Sequence, residues 1–184
     1  MTYNEQHRAE IGLGQAEFYQ QALEESKRFR QEYRQRKGIV KAEDMLWENS
    51  PQGRIKHVVN EKMNTRECAL DIYMQFLEAE GRSGKHRHLS EEIFFVLQGS
   101  GHDLHWDVDF NLVDEGYEWI WSESPKKFEW TEGDFVYIPP YTLHQHFNRD
   151  PEKPARILVT MSRIVKALGL NWIDQVENAP GYVT

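Results

Sequence analysis

The sequence predicts an all-β sandwich or barrel behind an N-terminal helix. From residue 54 onward, short runs of β-branched and aromatic residues are separated by Gly, Pro and Asn. No Gly-rich phosphate loop, internal repeat or second domain interrupts these runs. Aromatics make up 12% of 184 residues, six of them Trp, which is too many for a disordered chain and enough for one core.

Residues 15–37 read as the helix. Phe18, Ala22, Phe29 and Tyr33 fall on one stripe, at spacings of four, seven and four. Arg36 and Lys37 suit a last turn, and Gly38 a stop. The stripe is expected to pack on the main body or on a second subunit. The basic run Lys27, Arg28, Arg30, Arg34, Arg36 and Lys37 alternates with Glu24, Glu25 and Glu32. Glu24 precedes Arg28 by four residues and Glu32 precedes Arg36 by four, so the run reads as a solvated helix face. A turn follows at residues 49–53.

The strands come next. Residues 55–59 form one short run, and residues 69–77 alternate, with Ile72, Met74 and Phe76 expected inward and Asp71, Tyr73 and Gln75 outward. Residues 92–98 end at Gly99-Ser100-Gly101, and residues 103–108 are expected to return as the second arm of a hairpin. Tyr117, Trp119 and Trp121 make an aromatic stripe at period two, open to stacking a substrate or to outer packing. Runs at 128–130, 135–138, 143–147 and 156–161 complete the set, and Asn171 is expected to cap a short helix through residue 176. The implied organisation is a helical extension over 1–53, a barrel over 54–165 and a tail over 166–184.

Net charge follows from 22 basic and 30 acidic residues, giving −8, which disfavours phosphate backbones and so a nucleic-acid partner. No apolar run approaches the ~20 residues of a membrane span, and residues 1–6 are polar, without the apolar core of a signal peptide. The single cysteine, Cys68, makes no internal disulfide, and a cytoplasmic setting is expected.

The chemistry concentrates in Gly84-Lys85-His86-Arg87-His88-Leu89-Ser90-Glu91-Glu92 and in residues 133–144. His86 and His88 are two apart, so on a strand both imidazoles face one side. Glu92 follows after a connection, and a curled sheet can bring His144 across to the pair. Three imidazoles and one carboxylate suit a divalent transition metal such as Fe(II), Mn, Ni or Zn. Calcium or magnesium would instead call for oxygen ligands. His146 shares the parity of His144 and is a candidate acid/base group, second-layer partner or polar lining residue. Glu92, as the one anionic donor, is assigned both a ligand and a catalytic role. His102 and His105 lie on the strand after Gly101, and His7 and His57 are expected at the surface. Phe94 and Val96 share the parity of Glu92 and extend the apolar pocket of Ile72, Met74 and Phe76, while Arg156 and Arg163 are candidate anchors for a carboxylate or phenolate.

These motifs resemble the cupin superfamily. Its first motif is matched by His86, His88, three residues, Glu92, six residues and Gly99, with Gly81 or Gly84 as the upstream glycine. Its second is matched by Gly133, five residues, Pro139, one residue, Tyr141, two residues, His144, three residues and Asn148. Tyr141 stands where glycine is commonest, in a turn. The resemblance covers about residues 55–165 and implies a cupin (double-stranded β-helix, jelly-roll) barrel. It also implies a non-haem iron dioxygenase acting on a small phenolic or enolic substrate with O2. The longer two-domain gentisate-type enzymes usually bind iron with histidines alone, so Glu92 argues against that substrate. The alternatives are a metal-dependent isomerase, decarboxylase or lyase working without oxygen, and a ligand-binding or sensor cupin. Ile93, Phe95 and Leu97 lie opposite the inward set, so a homodimer is expected to cover them.

Overall fold

Alternating apolar residues give strands, and here they give two facing sheets. A computed structural model describes residues 16–66 and 69–183; His7 and Cys68 lie outside them. The chain divides into one unit ending at Arg36 and another starting at Lys37.

The first unit is helix α1 (Phe18–Gln35), ended by extended backbone at Arg36. None of its residues is buried. The i,i+4 ion pair is Arg28–Glu32 at 3.8 Å, while Glu24 accepts from Gln20 and Arg36 lies over the Phe29 ring. The basic run is thus a solvated face, as its charge alternation predicts.

The second unit contains β1 (Trp47–Ser50), β2 (Gly53–Val59), β3 (Leu70–Leu77), β4 (Lys85–His88), β5 (Glu92–Gln98), β6 (Ser100–Trp106) and β7 (Val108–Val113). It continues with β8 (Gly116–Trp121), β9 (Lys126–Thr131), β10 (Phe135–Ile138), β11 (Leu143–Asn148), β12 (Ala155–Ser162), a one-turn helix α2 (Ile164–Ala167) and β13 (Ile173–Glu177). One sheet has the order β1-β2-β3-β12-β5-β10, the second β13-β4-β11-β6-β9, and β7-β8 form a separate ribbon. Phe94, Val96, Ile157 and Val159 of the first sheet are fully buried, and Trp130 of the second meets Phe94 edge-on at 6.2 Å. Each such side chain contributes about 1.5–3 kcal/mol of burial free energy.

Four expectations need correction. The run after Gly101 does not pair with β5. Instead β6 pairs with β9 and β11 while β5 pairs with β10 and β12, so the chain crosses between sheets at Gly99-Ser100-Gly101. Gly99 takes φ +95°, and a Cβ on Gly101 would sit 1.9 Å from the Phe147 carbonyl oxygen and 2.4 Å from the Trp130 ring. Both glycines are required by the crossing.

The parity of β3 is the reverse of that expected. Tyr73, Gln75 and Leu77 stand opposite Val159, Ile157 and Ala155, all fully buried, so they face inward. Gln75 is tolerated there because its amide donates to the Gln52 carbonyl at 2.7 Å. Phe76 faces out, against Trp47 at 4.7 Å.

The short helix expected after Asn171 is instead strand β13, which pairs with β4, and a helical turn lies earlier, at α2. The sheet also begins before residue 54, since β1 pairs with β2 around the 49–53 turn. Propensity within either short segment is outweighed by the hydrogen-bonding edge the sheet offers it.

Candidate metal centre

Strand β4 alternates, so His86 and His88 are buried while Arg87 points out. Strand β11 lies antiparallel to β4, with His144 directly opposite His86. Glu92 opens β5 in the other sheet, reached through the short connection Leu89–Glu91. The carboxylate therefore comes from one sheet and the imidazoles from its facing partner. One donor atom from each of His86, His88, Glu92 and His144 lies within 4.8 Å of all the others. Glu92 and His144 are fully buried, and His86 and His88 nearly so.

Backbone carbonyls orient two of the rings. His88 Nδ1 is 2.8 Å from the Ser90 carbonyl oxygen, and His144 Nδ1 is 2.9 Å from that of Thr142. Each Nδ1–H is thereby tied up as donor, which turns the Nε2 lone pair inward. His88 Nε2 lies 3.2 Å from Glu92 Oε2. His144 Nε2, 4.0 Å from Glu92 Oε2, is buried with no hydrogen-bond partner. Buried acceptors that converge and lack a donor are satisfied by a shared cation, so these residues fit a divalent metal.

The electrostatics suit metal binding as well. Burial pushes His86 well below the usual imidazole range, aided by His144, and burial holds His144 down at about 3. Burial opposes ionisation of Glu92, but His146 and His88 beside it prevail and keep its carboxyl well below the usual range. At neutral pH the cluster offers neutral imidazoles at His86 and His144 and an anionic carboxylate, the states a metal needs.

A second layer stands behind Glu92. His146 is fully buried, its Nδ1 2.9 Å from Asp103 Oδ2 and its Nε2 3.6 Å from Glu92 Oε1. Burial disfavours the charged ring, yet Asp103 and Glu92 raise its pKa to about 10. Asp103 is itself held down at about 2: burial opposes its charge, and the charge of His146 with hydrogen bonds from His105, His146 and Trp130 overcomes it. The result is a buried carboxylate–imidazolium–carboxylate chain. His146 lines no part of the cavity described below, so it acts through Glu92 rather than on a substrate. The sequence reading missed Asp103; its signal was an acid two residues before His105, at the inward parity of β6.

A cavity of about 640 Å3 opens onto the cluster, lined by His86 and His88 and by apolar side chains that include Ile55, Ile72, Met161 and Ile173. His57 also lines it, 2.6 Å from Glu48, and so is a rim residue rather than a simple surface one. Neither Arg156 nor Arg163 offers a free anchor. Arg156 binds Gln98 at an exposed position, and Arg163 is engaged with Glu61 at 3.0 Å and Asp71 at 3.2 Å.

Tyr117, Trp119 and Trp121 lie outside the cavity lining. Trp119 and Trp121 pack on Tyr141 at 5.0 and 5.8 Å, and the Arg87 guanidinium covers Trp121 at 4.0 Å. The aromatic stripe is outer packing. Tyr141, at the motif's glycine position, has φ +62° and is buried. The turn keeps a glycine-like backbone, and the aromatic cluster holds it there.

With this geometry in view, comparison with known proteins gives a consistent picture. The family described as "Cupin domain" matches residues 73–161. No curated protein matches the sequence. Solved structures match at low identity. Vicilin of Corylus avellana (hazelnut) shares 16% identity at a TM-score of 0.52, over 74% of this chain and 35% of its own. Oxalate decarboxylase of Bacillus subtilis shares 16% at 0.53, over 73% and 31%. The DMSP lyase DddQ of Ruegeria pomeroyi DSS-3 shares 18% at 0.51, over 72% and 61%. The chain spans about a third of the vicilin and decarboxylase chains. These likenesses establish the fold. Among the described residues, no helix is long and apolar enough to cross a membrane.

Proposed function

With a cupin domain as the premise, carried by this chain over residues 73–161, we propose that the protein is a metal-dependent enzyme, a non-haem iron dioxygenase of small phenolic or enolic compounds. The observation that carries the reading is the buried three-imidazole, one-carboxylate cluster at the floor of a largely apolar cavity. When bound, divalent iron acidifies a phenolic or enolic oxygen and supplies electrons to dioxygen.

The chain's own residues do the rest. His86, His88, Glu92 and His144 would hold the ion. The Ser90 and Thr142 carbonyls lock two of the rings in the ligating tautomer. His146, 3.6 Å from Glu92 Oε1, places positive charge behind the carboxylate and keeps it anionic. Buried Ile55 and half-buried Met161 limit water around the reacting oxygen. A cavity of about 640 Å3 accommodates a single-ring compound.

The test is metal analysis of protein purified without added metal, followed by an oxygen electrode and a panel of phenols, catechols, hydroxyacetophenones and β-diketones. Iron, and uptake of about one O2 per substrate with both atoms in the product, is the expected result. Full-rate turnover without oxygen would sink the dioxygenase reading in favour of an isomerase, decarboxylase or lyase using the same cluster as a Lewis acid.

A further inference from the structure

We propose that the Tyr73 hydroxyl is the hydrogen-bond donor that fixes a second oxygen of the substrate inside the cavity, and so sets specificity. The inference deepens the reading of the cluster as a metal enzyme and rests on it.

Position is the first support. Tyr73 stands opposite Val159 on β12, and Val159 stands opposite Phe94 on β5, both fully buried. The Tyr73 ring therefore points into the barrel and packs against the core, and Tyr73 lines the same cavity as His86 and His88.

Partnering is the second. The polar groups around this wall are largely engaged with one another. Glu48 holds His57 at 2.6 Å, and His57 Nδ1 lies 3.3 Å from Asn60. Glu61 and Asp71 share Arg163, and Gln52 donates to Gln175 at 2.7 Å. Lys62, the remaining cation of the lining, is exposed. The Tyr73 hydroxyl has no partner among the described residues. A hydroxyl on a largely apolar wall that is not held by a neighbouring side chain is free to donate to whatever fills the cavity.

The ligand class follows from that wall. With the acidic rim groups already paired, a compact uncharged compound fits better than a dianion. It needs one oxygen for the cluster and a second that accepts from Tyr73. Few polar groups orient a ligand in such a pocket, so one donor weighs heavily in selectivity.

The test uses cobalt-loaded protein, freed of unbound cobalt by gel filtration, and two chromophoric probes. 4-Nitrocatechol carries two adjacent oxygens and 4-nitrophenol one. Both are titrated into the wild type and Tyr73→Phe, with cobalt content and melting temperature measured in parallel. Tyr73→Phe removes only an unpartnered hydroxyl, so cobalt content and melting temperature are expected to stay unchanged. The variant is expected to bind 4-nitrocatechol about 3- to 10-fold more weakly, the equivalent of one hydrogen bond to an uncharged oxygen, with 4-nitrophenol changed less than about twofold by the same reasoning. Equal losses for both probes, or no loss for either, overturn the role of Tyr73 while leaving the metal-enzyme reading in place. A fully loaded wild type that binds neither probe overturns both.

Discussion

Replacing Asp103 by Asn tests whether the chain behind Glu92 supports the metal. Asp103 accepts at Oδ1 from Trp130 Nε1 at 2.9 Å, and at Oδ2 it meets His146 Nδ1 at 2.9 Å and His105 Nε2 at 3.4 Å. Asn is nearly isosteric but has one acceptor oxygen. That oxygen can serve Trp130 or His146 but not both, and the amide NH2 then confronts a donor. One buried hydrogen bond to a charged group is lost, at a cost of about 1.5–3 kcal/mol. For a domain of this size that is a fall in melting temperature of roughly 3–12 °C. His146 also loses the carboxylate that raises its pKa, and with it the charge it presents to Glu92. Loss of such an outer partner weakens metal affinity by about 10- to 100-fold. The assays are thermal unfolding of the metal-free protein and a chelator competition titration with cobalt or iron. A variant with unchanged metal affinity and unchanged melting would show that the Asp103–His146–Glu92 chain supports neither the fold nor the site.

Other changes probe the remaining links. His86→Ala and His144→Ala each remove one of four donors, and emission spectrometry should then find well below one metal per chain; full occupancy in His144→Ala would refute the ligand set. Glu92→Ala leaves three imidazoles, so it should retain more metal than either while losing turnover, and unchanged turnover would remove its catalytic assignment. Tyr141→Gly should relieve about 1–2 kcal/mol of left-handed backbone strain but forfeit aromatic packing of about 3–5 kcal/mol. A net loss of about 1–4 kcal/mol in denaturant unfolding is expected, and a stabilised variant would show that the Trp119–Trp121–Tyr141 cluster carries little packing energy. The homodimer proposed from the apolar outer face of β5, where Ile93 is exposed, should sediment at twice the chain mass and dissociate on Ile93→Lys; a wild-type monomer at micromolar concentration would refute it.

Most of the candidate metal cluster was legible in the sequence because the spacing of His86, His88 and Glu92 is local. On any strand the two-residue step of His86 and His88 puts both rings on one side. A carboxylate after a four-residue step, and a third imidazole ahead of an Asn on another strand, then leave few other arrangements that bury all four. The inward parity of Phe94 and Val96 followed from Glu92 in the same way, and the structure leaves both fully buried. The β3 parity was not legible. Its sequence alternates apolar Ile72, Met74 and Phe76 against Tyr73 and Gln75, and hydrophobicity alone selects the wrong face. The choice depends on register with β12 and on a hydrogen bond from Gln75 to Gln52, twenty-three residues away. The hairpin expected after Gly101 failed for a related reason. A glycine-rich break reads the same whether the chain turns back on its own strand or crosses to the facing sheet, and only the close approach of Phe147 and Trp130 to Gly101 distinguishes them. Tertiary contact likewise recruited Asp103 behind His146, engaged Arg163 with Glu61 and Asp71, and left the Tyr73 hydroxyl without a partner on the cavity wall. Those outcomes are decided by which strands become neighbours, because pairing between distant strands is set by the sheet order and not by the alternation within any one of them.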